Sequence, residues 1–86
     1  MSVIHKTHLD PTGLTHVLSP VRPLSVGLDA NGYPSVWYWA AEHQKERVTW
    51  DIELLGTGVG DRERDEIGEF LGTLVYRHLV LHAFTR

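Results

Sequence analysis

Cysteine is missing altogether from the 86 residues. Thiolate catalysis, Cys-ligated zinc and disulfide staples are thereby excluded. Nor does any apolar run approach the roughly 18 residues that a membrane-spanning helix needs. The opening Met1-Ser2-Val3-Ile4-His5-Lys6 lacks the long apolar segment of a secretory signal. Positive charge is scarce too: eight Lys and Arg stand against eleven Asp and Glu, for a formal net charge of −3. The eight (Lys6, Arg22, Lys45, Arg47, Arg62, Arg64, Arg77 and Arg86) are scattered along the chain. They form no basic run of the kind that neutralises phosphates. These absences point away from nucleic acid and from membranes, and they fit a cytoplasmic protein.

What is present is a single domain's worth of chain. Residues 1–86 read as one small domain and, from Met1 to Arg86, as a complete small open reading frame. A chain of this size hides only about 60% of the surface that its unfolded form exposes. Packed aromatics and branched aliphatics must carry the stability, with or without a partner subunit. Three Trp, three Tyr and two Phe serve that purpose.

The clearest pattern is alternation with period two. Arg47-Val48-Thr49-Trp50-Asp51-Ile52-Glu53-Leu54 sets Val, Trp, Ile and Leu on one side and Thr, Asp and Glu on the other. Successive side chains of a strand point to opposite faces, so this is a strand with one dry and one wet face. The tail Leu79-Val80-Leu81-His82-Ala83-Phe84 alternates less cleanly. Val3 to Leu9 reads as a first strand, and Asp10-Pro11-Thr12-Gly13 as a turn. Thr15 to Leu18 is a short extended piece. Two prolines keep Ser19-Pro20-Val21-Arg22-Pro23 out of any central strand.

Leu24-Ser25-Val26-Gly27-Leu28-Asp29 alternates again, with Leu24, Val26 and Leu28 expected inward. The Asn31-Gly32 pair that follows is a strong hairpin signal. In the return strand, Ser35 to Ala41, both faces are apolar: Val36, Tyr38 and Ala40 on one, Trp37 and Trp39 on the other. Such a strand is covered on both sides or carries an interface. Glu42 to Glu46 is a polar loop or single helical turn, and Asp61 to Glu66 a solvated charged loop. Glu69 to Tyr76 and Leu79 to Phe84 form a last hairpin around Arg77 and His78. The expected fold is all-β, with about six mostly antiparallel strands in a compact sandwich or partly open barrel.

Few constellations carry chemistry. Six histidines are present: His5, His8, His16, His43, His78 and His82. A metal needs rings converging at about 2 Å. His78 and His82, on one strand face, would stand roughly 13 Å apart, while His5 and His8 point to opposite faces. A site could assemble only across strands, for instance His5 with His82 and a carboxylate. His82, between Leu81 and Ala83, is expected to be half-buried and hydrogen-bonded. Gly56-Thr57-Gly58-Val59-Gly60 resembles a phosphate loop, but Asp61-Arg62-Glu63-Arg64-Asp65-Glu66 puts acids where a helix N-terminus should receive the anion. A tight strand exit, with Thr57 bonded to the backbone, is the plainer reading. Asp51 and Glu53 share a wet strand face about 7 Å apart, which solvation alone explains. Ser2, Ser19, Ser25 and Ser35 offer no nucleophile elbow. No catalytic residue, metal ligand or cofactor is assigned.

The order of five motifs is similar to that of a small uncharacterised family of all-β proteins encoded by phages of Gram-positive bacteria. They are the strand at Val3-Ile4, the Pro-containing approach to Leu24-Ser25-Val26, and the return through Pro34-Ser35-Val36-Trp37. The Gly56-Thr57-Gly58 exit follows, and then Gly72-Thr73 before Leu79-Val80-Leu81-His82-Ala83-Phe84. Members of that family often carry His after the Gly-Thr-Gly, where this chain has Val59, so no role for that His transfers. The resemblance implies an accessory phage protein made in the host cytoplasm, and supplies no catalytic residues.

The leading expectation is therefore a non-enzymatic interaction module. It would form a homo-oligomer, or hold a host or phage protein, through the Trp37 and Trp39 side of its strand. A second reading is a binder of a nucleotide-like ligand, using Gly56, Thr57 and Gly58 with Arg62, Arg64 and an aromatic. A histidine-dependent metalloenzyme is the third.

Overall fold

The computed structural model describes residues 2–41, 48–58 and 67–86. Seven strands run in chain order: β1 (Ser2–His8), β2 (Leu14–Ser19), β3 (Ser25–Leu28), β4 (Pro34–Ala41), β5 (Val48–Gly56), β6 (Phe70–Tyr76) and β7 (Leu79–Thr85). There is no helix among the described residues. The strands form two antiparallel sheets, a three-stranded one in the order β1-β4-β3 and a four-stranded one in the order β2-β5-β7-β6. The sheets remain separate and do not close into a barrel. The expected all-β architecture is what the chain adopts, with the short piece at Thr15–Leu18 extended into the full strand β2.

The core lies between the sheets. Leu9, Val17, Val36, Ile52, Leu54, Leu74, Leu81 and Ala83 are buried in one cluster, with Val26, Tyr38, Trp50, Leu71 and Tyr76 packed on it. In β5 the alternation holds from Trp50 on: Trp50 packs on the core, Ile52 and Leu54 are buried, and Asp51 and Glu53 turn away, but Val48, expected on the same dry face, is exposed at the start of the strand. In β7 the buried set is Leu81, Ala83 and Thr85, which leaves Val80, His82 and Phe84 outward. β3 departs from the expectation. Val26 packs against the core, but Leu24 and Leu28 are exposed. β3 has four residues at a sheet edge, and the facing sheet does not reach far enough to cover both ends.

The turns follow from local chemistry. Asp10 Oδ1 accepts from the backbone N–H and the hydroxyl of Thr12, closing the first turn. At Asn31-Gly32 the glycine takes φ 77°, the left-handed value such a hairpin asks for. The β6–β7 hairpin turns at Arg77 and His78. His78 thus sits in the turn and shares no strand face with His82. Arg77 takes φ 58° and lays its guanidinium 5.1 Å from the Tyr76 ring centroid. Between the sheets, β6 approaches β3 closely. A Cβ on Gly72 would come within 2.8 Å of Val26 Cγ2, so only glycine fits, and the strand carries a bulge there. The Glu42–Glu46 and Asp61–Glu66 loops lie outside the described residues.

Candidate functional site

Directly opposed residues of an antiparallel pair share a face. In the three-stranded sheet, Ile4 stands opposite Trp39, and Lys6 and Ser25 both stand opposite Trp37. Val36 and Tyr38, on the other face of β4, belong to the core. Trp37 and Trp39 therefore lie on the outer face. Both are half-buried. Trp37 spreads over Gly27, to which an added Cβ would stand 3.8 Å from its ring. Ile4 beside them is exposed. The two indoles and Ile4 make an apolar outer ridge on the middle and edge strands of this sheet.

One end of that ridge is pinned by Asp29. Its Oδ1 accepts from the backbone N–H groups of Asn31 and Tyr33, at 2.9 Å each. Its Oδ2 faces Lys6 Nζ at 3.0 Å and His8 Nε2 at 3.1 Å. The side chain is only 2% exposed. The Tyr33 N–H foremost, and then Lys6, hold its carboxyl well below the usual carboxylate range, against the opposing effect of burial. Tyr33 stacks on His8 with ring centroids 4.8 Å apart. Through Oδ2, Lys6 and His8 tie β1 to the β3–β4 turn, which makes the cluster a clamp. Ser35, opposite His8 in the register, is fully buried and donates to the Tyr33 carbonyl, so it is no accessible nucleophile.

The glycine-rich exit of β5 is a tight turn, but its threonine hydroxyl has a partner that the sequence reading did not name. Gly56 ends the strand. Thr57 and Gly58 form the turn, with Gly58 at φ 72°. The Thr57 hydroxyl meets His82 Nε2 at 2.6 Å, rather than the backbone. Across the sheet, Thr73 Oγ1 meets His82 Nδ1 at 2.9 Å. Both ring nitrogens are thereby occupied by hydroxyls, and the histidine is half-buried as expected. Arg62 and Arg64, the basic half of the ligand reading, lie outside the described residues.

His82 belongs to a strip that periodicity did not single out. Phe70 stands opposite Phe84, Thr73 and Leu55 opposite His82, and Val75 opposite Val80. The Phe70 and Phe84 rings lie 5.5 Å apart. Phe70, Val75 and Val80 are exposed, at 52%, 55% and 40%. The signal was available in the outward alternation of Val80, His82 and Phe84, but Phe70 joins them only through the register. The other half of the same outer face is polar. There His16 Nδ1 pairs with Asp51 Oδ1, and Arg86 Nε lies 4.0 Å from Glu53.

The described histidines do not converge. His5 stands edge-on to Tyr38, His8 is held by Asp29, His16 by Asp51, and His82 by two threonines. Among the described residues, no group of three or more His, Asp or Glu side chains is placed to hold a metal ion.

The family described as a domain of unknown function, DUF7352, matches residues 1–86, and the chain belongs to it. No curated protein and no solved structure matches the chain.

Proposed function

We propose that the protein is a non-enzymatic interaction module that holds another protein against the outer face of its three-stranded sheet. Ile4, Trp37 and Trp39 provide the apolar contact, and Lys6, His8 and Asp29 form its polar margin. One observation carries the reading. Ile4, exposed at 52%, stands opposite Trp39, and Trp37 and Trp39 are both left half-buried on the outer face of the sheet. Exposed apolar side chains are ordinary singly, but adjoining ones on a sheet face mark interaction surfaces. Tryptophan is also the side chain most enriched at the energetic centre of interfaces. The order of motifs along the chain supports the narrower setting of an accessory phage protein, made in the host cytoplasm and acting on a host or phage protein. The ligand-binding and metalloenzyme readings have less to support them: Thr57 is engaged by His82, and His8, His16 and His82 are held by separate partners.

The test is an affinity capture from infected-host extract, with wild type and Trp37→Thr/Trp39→Thr side by side. Threonine keeps a strand-compatible side chain. The expected result is a protein retained in fixed ratio by wild type and at least about tenfold depleted from the folded variant. Equal retention by both chains, or no specific retention by wild type, overturns the proposal.

A further inference from the structure

We propose that the open edge of β1 takes up an extended segment of the partner protein as an added strand, continuing the three-stranded sheet. The inference rests on the partner reading above and names the form in which that partner binds.

The ladder fixes which backbone groups are open. β1 lies at an edge of its sheet and, among the described residues, pairs with β4 alone. Just past its end, the Leu9 N–H donates to the Pro34 carbonyl at 2.8 Å. Bonded pairs alternate with non-bonded ones along an antiparallel ladder. Thr7, His5 and Val3 are in phase with Leu9 and turn their backbone groups to β4. The N–H and C=O groups of Ile4, Lys6 and His8 therefore point the other way, off the edge. Such a row, repeating every second residue, is complemented by water or by another extended backbone.

The other three edges are guarded. β3 has four residues and packs against β6, whose own ladder is broken by the bulge between Phe70 and Gly72. β2 packs against β4 and runs into Pro20, with Val17 and Ser19 buried. β1 has no proline, and its seven residues pair without a register shift. Val3 and His5 on one of its faces are exposed, and so are Ile4 and Lys6 on the other. A lysine often shields a native edge. Here Lys6 Nζ is drawn to Asp29 at 3.0 Å, towards β4 and away from the open side.

The neighbouring side chains describe the segment. On the outer face it stands beside Ile4, which is opposite Trp39, so apolar side chains there extend the ridge. On the other face it stands beside His5 and Thr7, where polar ones belong. β1 holds Lys6 and two histidines and no Asp or Glu. That favours acidic side chains over basic ones, and it gives a second copy of β1 no counter-charge to meet.

The experiment uses the full untagged chain, with the capped peptide Thr-Val-Glu-Val-Thr-Val-Glu as probe and amide hydrogen exchange as readout. In the free chain the Ile4, Lys6 and His8 amides are expected to exchange at least about tenfold faster than those of His5 and Thr7. Millimolar peptide is expected to remove that difference. An added strand bonds through alternate residues only. Of two peptides, one methylated on its valine nitrogens and one on the others, one is expected to bind at least about tenfold more weakly and the other like the parent. No protection by the peptide overturns the proposal, and so does equal binding of the two methylated forms. Protection without peptide at twice the chain mass also overturns it, and puts a second copy on the edge. Ile4→Pro removes an N–H from the edge and none from the ladder, whereas Ile4→Thr removes the same side chain and keeps the N–H. In capture from extract, the folded proline variant is expected to lose the partner at least about tenfold more than the threonine variant. Equal retention by the two, of a protein that Trp37→Thr/Trp39→Thr loses, overturns the added strand and leaves the partner reading standing. Should Ile4→Pro not fold, the methylated peptides decide on the unaltered chain.

Discussion

The two sheets divide the work of the molecule unequally. The four-stranded sheet supplies Val17, Ile52, Leu54, Leu74, Leu81 and Ala83 to the buried core, whereas the three-stranded sheet supplies Val36. Val26 and Tyr38 add partial packing from the smaller sheet. Its edge strand β1 is tied on by polar contacts at Asp29 and by the bond between the hydroxyls of Thr7 and Tyr38, at 3.0 Å. One sheet is thus the foundation, and the other a platform fastened to it through β3 and β4. The platform displays two indoles outward. A layer that contributes little to the core can devote its side chains to recognition with less loss of stability.

The sharpest test of this contrast compares one buried side chain from each sheet. Ile52→Ala removes a side chain that is 1% exposed, and should destabilise by about 2–5 kcal/mol. Val36→Ala, with its side chain fully buried, should cost about 1–3 kcal/mol. Urea unfolding measures both. Equal losses, with unchanged dependence on urea, would make the sheets one undivided unit and dissolve the contrast.

The seam between the sheets comes next. Gly72→Ala forces a methyl into Val26, for an expected loss of about 1–3 kcal/mol by the same measurement. The loss should shrink when Val26→Ala makes room, a coupling that a double-mutant cycle would read.

The polar clamp should reveal itself through pH. The folded state holds the Asp29 carboxyl below its ordinary range. Its stabilising contribution is therefore present above the unfolded value, near 3.9, and is lost as pH falls through the folded value. Thermal melting of wild type should drop below about pH 4, and Asp29→Asn should flatten that slope. Asp10, lowered by the Thr12 N–H and hydroxyl, would leave a residual slope in the variant. An unchanged profile in Asp29→Asn would show that the clamp does not fasten the platform.

The smallest effect on stability is expected at the ridge. Trp37→Thr/Trp39→Thr should change the unfolding free energy by about 1 kcal/mol per site, far less than Ile52→Ala. A loss as large as that of the core variant would place the indoles among the supports of the fold and remove the reason to assign them to a partner.

Much of this fold was legible in the residues. The alternation from Trp50 to Leu54 named its buried face, Asn31-Gly32 marked a hairpin, and Arg77-His78 marked another. The two-faced character of β4 identified Trp37 and Trp39 as side chains needing a reason to be there. Leu24 and Leu28 were misread as inward because alternation tells which side of a strand is apolar, and not whether anything covers it. Thr57 was expected to bond its own backbone, and meets His82 instead. The contact joins residues 25 positions apart, beyond the reach of local spacing. Phe70 joins the outward side chains of β7 only through the register, for the same reason.

The sequence by itself determined the strands, their turns and the faces they present, because backbone sterics and side-chain periodicity act over a few residues. Only the tertiary structure decided that β5 lies between β2 and β7, that Asp29 reaches Lys6 and His8, and that two apolar faces remain outward. Those outcomes depend on which strands pair and in what register. Pairing is settled by the joint burial of residues far apart in the chain, which no short window of sequence contains.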